Sequence, residues 1–242
     1  MADQRVAVVT GSSSGIGAAT ARRLAGAGCR VVVNSARSTE AGLALAASLP
    51  DAIYVRADVA DEEQARMLID TAVGTFGRLD ILVNNAGTTR RIPHHDLATA
   101  TPDVWREILG VNVIGTWQTT VAAVPHLRAS GSGCVVNVSS VAGQRTSGSS
   151  IPYAVSKAAI DHLTRLLANT LGPRIRVNAV APGLIDTPWT VGMDEFAERI
   201  RQTAPLRRVG VADDVAEVVL GLVNATYVTG QVVVVDGGLH LL

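Results

Sequence analysis

The sequence predicts an α/β protein built on one doubly wound parallel sheet with helices on both faces. Two observations predict it. Short β-branched runs recur along the chain with longer helical stretches between them, and most of those runs are continuously apolar rather than alternating apolar with polar. Continuous apolar runs suit strands covered on both faces, as parallel strands are. Alternation of strand with helix argues for right-handed βαβ units in a single sheet.

The predicted strands are residues 6–10, 31–33, 53–55, 81–83, 135–138, 175–180 and 232–235. The predicted helices are 15–27, 39–49, 62–76, 102–129, 153–171 and 212–223. Thr101-Pro102-Asp103 reads as a helix start, a capping residue followed by proline in the first turn. No linker, repeat or low-complexity tract interrupts the pattern, so one domain is expected over residues 1–242. The least regular stretches, 88–100, 141–152 and 183–205, all follow strands. Ligands of such sheets bind beyond the carboxyl ends of the strands, so these stretches are expected to form the substrate rim.

Lys plus Arg and Asp plus Glu both total 21, a formal net charge of zero. This gives no electrostatic footprint for nucleic acid or an anionic membrane, and neither is expected as a partner. No apolar stretch reaches the ~18 residues of a membrane span and no signal-peptide core is present, so a cytoplasmic location is expected. Cys29 and Cys134 form neither a disulfide framework nor a zinc spacing, and are expected to be two small buried side chains. His94-His95 could suggest a metal, but no cluster of carboxylates or cysteines at ligand spacing supports one, and none is expected.

Thr10-Gly11-Ser12-Ser13-Ser14-Gly15-Ile16-Gly17 lies between the first strand and the first helix. Glycine there allows a tight turn, close backbone approach to a pyrophosphate and close helix–strand packing, and the helix N-terminus offers free N–H groups to an anion. The spacing is G-x-x-x-G-x-G rather than G-x-G-x-x-G. By itself it is equally compatible with a βα turn that holds nothing.

Tyr153 and Lys157 are four residues apart at a helix start and share one face. A free tyrosine has a pKa near ~10, and a neighbouring ammonium is expected to lower it. Tyr153 could then take a proton from an alcohol or give one to a carbonyl. A core tyrosine beside a surface lysine is the competing reading.

Four further segments occur in order: Asn84-Asn85-Ala86-Gly87, Asn112, Ser139-Ser140 and Tyr153-Ala154-Val155-Ser156-Lys157. With the glycine turn, with Pro182-Gly183-Leu184-Ile185-Asp186-Thr187 and with Thr229-Gly230-Gln231 near the end, they resemble the short-chain dehydrogenase/reductase family over nearly the whole chain, and its 3-oxoacyl-carrier-protein reductases most broadly. The resemblance implies a Rossmann-type sheet of about seven strands, NAD(P)-linked interconversion of a small carbonyl and a secondary alcohol, and a homo-oligomer, tetramer or dimer. It implies Tyr153 as general acid/base, with Lys157 lowering its pKa and binding the ribose. It implies Ser140 on the substrate oxygen, with Ser139 supporting, and Asn112 holding a proton-relay water. Asn112 could instead be a buried asparagine stitching backbone, and both readings can hold. The implied cofactor contacts are Gly11, Ser13, Ser14, Gly15, Ile16, Gly17, Asn34, Ser35, Arg37, Asp58, Val59, Asn85, Ala86, Gly87, Tyr153, Lys157, Pro182, Gly183, Ile185 and Thr187. Asp58 could equally be a helix cap.

A carboxylate about ~20 residues past the glycine turn would hold the ribose diol of NAD. The second strand here ends Asn34-Ser35-Ala36-Arg37, with Ser35 where NAD-preferring relatives carry Asp. Nothing acidic repels a 2′-phosphate, and Ser35 and Arg37 could bind it, so NADP(H) is expected over NAD(H). Against this, Ser14 stands where many NADP-linked relatives have Arg or Lys. Val141, Ile151, Leu184, Trp189 and His94 or His95 are candidates to face the substrate. The resemblance also indicates a shortened loop before Tyr227. Two alternatives to a reductase remain: a non-catalytic nicotinamide-binding sensor on the same fold, and an isomerase or dehydratase using the cofactor transiently.

Overall fold

The computed structural model describes residues 4–241, so the extreme ends of the expected domain, residues 1–3 and 242, lie outside the described residues. In chain order the strands are β1 (Val6–Val9), β2 (Arg30–Ser35), β3 (Ala52–Arg56), β4 (Ile81–Asn84), β5 (Gly133–Val138), β6 (Ile175–Pro182), β7 (Ile185–Asp186), β8 (Gly210–Val211) and β9 (Val232–Val235). Seven of them form one parallel sheet in the order β3-β2-β1-β4-β5-β6-β9, and β7 and β8 pair apart from it. The helices are α1 (Gly15–Gly26), α2 (Thr39–Ser48), α3 (Glu62–Phe76), α4 (Pro102–Leu109), α5 (Thr116–Ala129), α6 (Ile151–Leu171), α7 (Asp194–Thr203) and α8 (Ala212–Asn224). The expected Rossmann-type architecture is therefore present.

The apolar runs explain why helices cover both faces. Successive strand residues point to opposite sides. On one side Ala7, Val9, Val31, Val33, Val83 and Val136 pack with Leu24 of α1 and Val215 and Val219 of α8. On the other, Val6, Val8, Val32, Leu82 and Val135 pack with Leu68 and Ile69 of α3 and Leu127 of α5. β1 is wholly buried, and each such valine contributes about 1.5–3 kcal/mol relative to exposure. Cys29 and Cys134 are free and buried, as expected.

Strand order reverses between β1 and β4, which leave the sheet in opposite directions of winding. Their carboxyl ends carry the glycine turn and Asn84–Gly87, so the crevice opens where both motifs meet. Two local features differ from the sequence reading, and a third, the connection before β9, follows it. The expected helix 102–129 is continuous from α4 to α5, but its middle, Gly110–Gly115, is wound as a π-helix. The stretch 183–205 contains α7, whose Phe196 and Ile200 repeat at helical spacing after acidic Asp194 and Glu195. The connection before β9 is short and leaves Tyr227 fully exposed. Among the described residues, no helix is long and apolar enough to cross a membrane.

Candidate active site

The turn after β1 is held by buried polar side chains. Ser12 Oγ donates to Val9 O at 2.7 Å and accepts the Asn34 N–H at 3.0 Å. Asn34 Oδ1 accepts the Gly11 N–H at 3.2 Å, while its Nδ2 donates to Val55 O and Ala57 O at 3.1 and 3.0 Å. Thr10 Oγ1 accepts the N–H groups of Asn85 and Ala86, both at 3.0 Å, and Asn85 Nδ2 donates back to Thr10 O and Gly11 O. These bonds tie β1, β2, β3 and β4 together at their carboxyl ends. Gly11 has φ +60, and a Cβ there would stand 2.7 Å from Ala86 Cα, so only glycine fits.

Beyond the turn, α1 begins with free amides. Ser14 occupies its N-cap without a side-chain bond and its first turn holds no acid, whereas Asp61, Thr101 and Ser150 cap α3, α4 and α6 with their side chains. Uncapped N–H groups at a helix start form an anion site. They open into a cleft of about 830 Å³ along the carboxyl edge of the sheet. A glycine-tightened turn, a free helix N-terminus and an extended cleft together fit a dinucleotide.

Most of the expected cofactor residues line this cleft: Gly11, Ser14, Gly15, Ile16, Gly17, Asn34, Ser35, Arg37, Asp58, Val59, Asn85, Ala86, Gly87, Tyr153, Lys157, Pro182, Gly183, Ile185 and Thr187. Ser13 sits on the turn outside this lining, and its buried neighbour Ser12 braces the turn. Asn34 is reached by the cleft, yet its amide is spent on the brace just described. Ser35 is buried with its hydroxyl 3.0 Å from Tyr54 Oη, so it contributes the absence of a carboxylate rather than a directed donor. Arg37 is exposed at the rim, and no carboxylate pairs with it among the described residues. Asp58 does turn chemistry as well, its Oδ1 accepting the Ala60 N–H at 3.0 Å, while Asp61 takes the cap of α3.

α6 carries the titratable pair. Ser150 caps it and Pro152 lies in its first turn, which starts the helix early enough to hold Tyr153 over the cleft. Ser140 follows β5. Its Oγ donates to Pro182 O at 3.4 Å and accepts the Ala142 N–H at 3.2 Å, and it lines the same cleft as Tyr153. Ser139 instead donates to Lys157 O at 3.1 Å, holding α6 against β5. Lys157 Nζ donates to Val138 O at 2.8 Å and stands 5.6 Å from the Tyr153 ring centroid. Lys157 is the only lysine in the sequence; every other member of the Lys-plus-Arg total is arginine.

The electrostatics correct one expectation. Burial pushes the Tyr153 phenol up to about 12, with the Ser140 hydrogen bond opposing it. Burial likewise brings the Lys157 ammonium down to about 8, against the attraction of Asp161. In the protein without its cofactor, desolvation of the phenolate therefore outweighs the lysine charge, whose Nζ is turned to a carbonyl.

Asn112 is buried in the π-helical segment and does not line the cleft. Its Oδ1 accepts the Thr88 N–H at 2.7 Å, and its Nδ2 donates to Thr88 O at 3.1 Å and Ser156 Oγ at 2.9 Å. Ser156 in turn donates to Tyr153 O at 2.7 Å. Sequence reasoning passed over Ser156, although a serine inside an apolar helix face is a signal for such a bond.

The substrate side is apolar. Val141, Leu184 and Trp189 line it, joined by Met193 and Phe196, which sequence reasoning missed along with α7. Trp189 lies 6.3 Å from the Tyr153 ring, centroid to centroid. Ile151, His94 and His95 do not line the cleft. Among the described residues, no group of three or more His, Cys, Asp or Glu could hold a metal.

This fold and cleft define a nicotinamide-dinucleotide oxidoreductase of the Rossmann type. A family model described as enoyl-(acyl carrier protein) reductase matches residues 11–240. A Streptomyces violaceoruber protein named as ketoacyl reductase 2 of the granaticin polyketide synthase is 70% identical over 98% of this chain and 96% of its own. The cis-4-hydroxycyclohexanecarboxylate dehydrogenase of Sinomonas cyclohexanicum is 40% identical over 97% of this chain and 96% of its own. The crystal structure of a gluconate 5-dehydrogenase from Burkholderia cenocepacia with NADP and tartrate superposes with a TM-score of 0.90 at 33% identity, covering 99% of this chain and 96% of that one. The chain belongs to the short-chain dehydrogenase/reductase family. It is an NAD(P)-linked oxidoreductase that interconverts carbonyl and alcohol groups.

Proposed function

We propose that the protein is an NADPH-dependent ketoreductase that reduces a ketone on a polyketide-type acyl substrate, with Tyr153 as the proton donor. The observation that carries this reading is that Tyr153, Ser140 and Lys157 line the same cleft as the glycine turn, with burial keeping the Tyr153 phenol neutral. A neutral phenol is the form that can give a proton to a carbonyl oxygen. The 70% identical ketoacyl reductase supports the substrate class.

The nicotinamide, when bound, supplies the hydride to the carbonyl carbon. Gly11, Gly15 and the free amides of α1 hold the pyrophosphate, and Arg37 holds a 2′-phosphate by a forked contact. Ser140 hydrogen-bonds the substrate oxygen, and Tyr153 protonates it as it becomes an alkoxide. Lys157 binds the ribose and stabilises the phenolate left behind. Beside Gly87, a point one Cβ-length from its Cα lies 3.4 Å from Asn112 Oδ1 and 3.8 Å from Lys157 Nζ. A relay water there would return the proton to Tyr153 through Lys157. The apolar faces of Trp117 and Val121 on α5 and Leu166 on α6 are exposed, which supports assembly as a homotetramer or dimer.

The test is turnover of a panel of β-keto thioesters and cyclic ketones with NADPH and NADH. Tyr153→Phe is expected to lower kcat by about 10²–10⁴-fold while the protein still binds NADPH. Equal turnover by the variant would overturn the mechanism, and binding without turnover on any ketone or alcohol would favour the sensor.

A further inference from the structure

One buried carboxylate next to the reacting pair has no place in the chemistry above. Asp161 lies on α6 one turn beyond Lys157, as Lys157 lies one turn beyond Tyr153. Side chains on a helix lean toward its N-terminus, so residues at this spacing stack along one face and each reaches toward the one before. Asp161 is only 4% exposed. One of its oxygens accepts from Gln144 Nε2 at 3.1 Å, and the other, Oδ1, is buried with no hydrogen-bond partner. A half-satisfied buried carboxylate is costly and calls for a reason.

We propose that Asp161 is a positioning residue of the active site: its buried, half-satisfied carboxylate, one helical turn beyond Lys157, keeps Lys157 as the ammonium that Val138 O holds beside Tyr153, making Tyr153, Lys157 and Asp161 three members of one ladder along a helix face. This rests on the ketoreductase reading of the site and goes beyond it. On α6 itself His162 and Arg165 are exposed, and charged groups on the elements packed against it are engaged elsewhere. From α4, Glu107 pairs with Arg90 and Asp103 with Arg106. From β6, Arg176 donates to Leu222 O and Val223 O, and after β5, Arg145 donates to Leu239 O. Asp161 is the one charge acting to keep Lys157 protonated against the pull of burial. Gln144 fixes the carboxylate from the turn that also carries Ser140, so the ladder and the substrate-oxygen site share one anchor.

The sole lysine makes the test direct. Protein labelled with 13C,15N-lysine gives one side-chain signal, whose pH titration is read without any substrate. Asp161→Asn keeps the shape and removes the charge, and is expected to move the Lys157 midpoint down by about one pH unit. The alkaline limb of kcat/KM should fall with it. Asp161→Ser, smaller but also uncharged, should move it the same way. Gln144→Ala breaks the same hydrogen bond while leaving the charge, and should leave the midpoint at or above that of the wild type. If Asp161 merely staples the fold, the charge-removing variants will lower thermal stability and leave the titration unmoved, which overturns the proposal. A midpoint that falls equally in Gln144→Ala overturns it as well. Neither result touches the ketoreductase reading, which stands or falls on Tyr153→Phe.

Discussion

The two ends of the cleft are built differently. At the cofactor end, every bracing group is bonded: buried Ser12, Asn34 and Thr10, with half-buried Asn85, knit four strand ends into one surface. At the substrate end, Trp189 and Phe196 stand 46% and 42% exposed, and Arg91 holds the segment through the carbonyls of Trp189 and Val191. The cofactor end is set for one ligand before it arrives. The substrate end is a surface loop and short helix whose side chains can change without disturbing the sheet. One fold can thereby keep its cofactor while its relatives act on different alcohols and ketones.

The strongest way to break this contrast is to cut a brace. Asn34→Ala removes three hydrogen bonds at once and leaves Gly11 N–H, Val55 O and Ala57 O to find other partners. A loss of about 2–4 kcal/mol is expected in urea unfolding, together with weaker cofactor binding. A change within error would mean that the turn holds its shape without the brace.

Lys157→Met probes the boundary between the two ends. Burial lowers the folded pKa of Lys157 to about 8 from an ordinary 10.5, so the unfolded chain binds more protons between those values. Stability of the wild type therefore rises with pH across that window, and the burden of the buried ammonium is full below about 8. The methionine variant should be inactive and more stable than wild type near neutral pH, by of order 1 kcal/mol, with the gap closing as pH rises to 10.5. Thermal melts across that range check it.

Smaller effects are expected at the rims. Arg37→Ala should lower kcat/KM for NADPH about tenfold relative to NADH, read from steady-state kinetics with both cofactors. Trp189→Ala should change KM for the ketone a few-fold and leave NADPH affinity as it was, measured by fluorescence titration. Loss of cofactor affinity in the tryptophan variant would show that the two ends are not independent.

The sheet was legible because its strands are continuous apolar runs, and the cofactor end because glycine and asparagine stand where backbone must turn or be tied. The substrate end was less so. α7 is short, charged and exposed on most of its surface, so its Phe196–Ile200 repeat is a weak signal in sequence. The π-helical turn around Asn112 is also invisible in composition, since Gly-Val-Asn-Val-Ile-Gly fits an α-helix interrupted by poor formers. The sequence placed Tyr153 beside Lys157 at the start of a helix, but the sign of its shift was not legible there. Spacing gives the proximity of a lysine, while the desolvation that outweighs it depends on β5 and the rim closing over the phenol.

The lone lysine reaches beyond the reaction. A lysine-specific endoprotease has one bond to cut in this chain, between Lys157 and Ala158, and that bond lies inside α6 with the side chain 5% exposed. Cleavage needs an extended, accessible segment, so it can follow only the opening of that helix from the sheet. Where opening and closing are fast relative to cutting, the rate of appearance of two fragments reads the free energy of unfolding. The lone lysine of the cleft is thereby also a built-in gauge of how firmly the molecule stays folded.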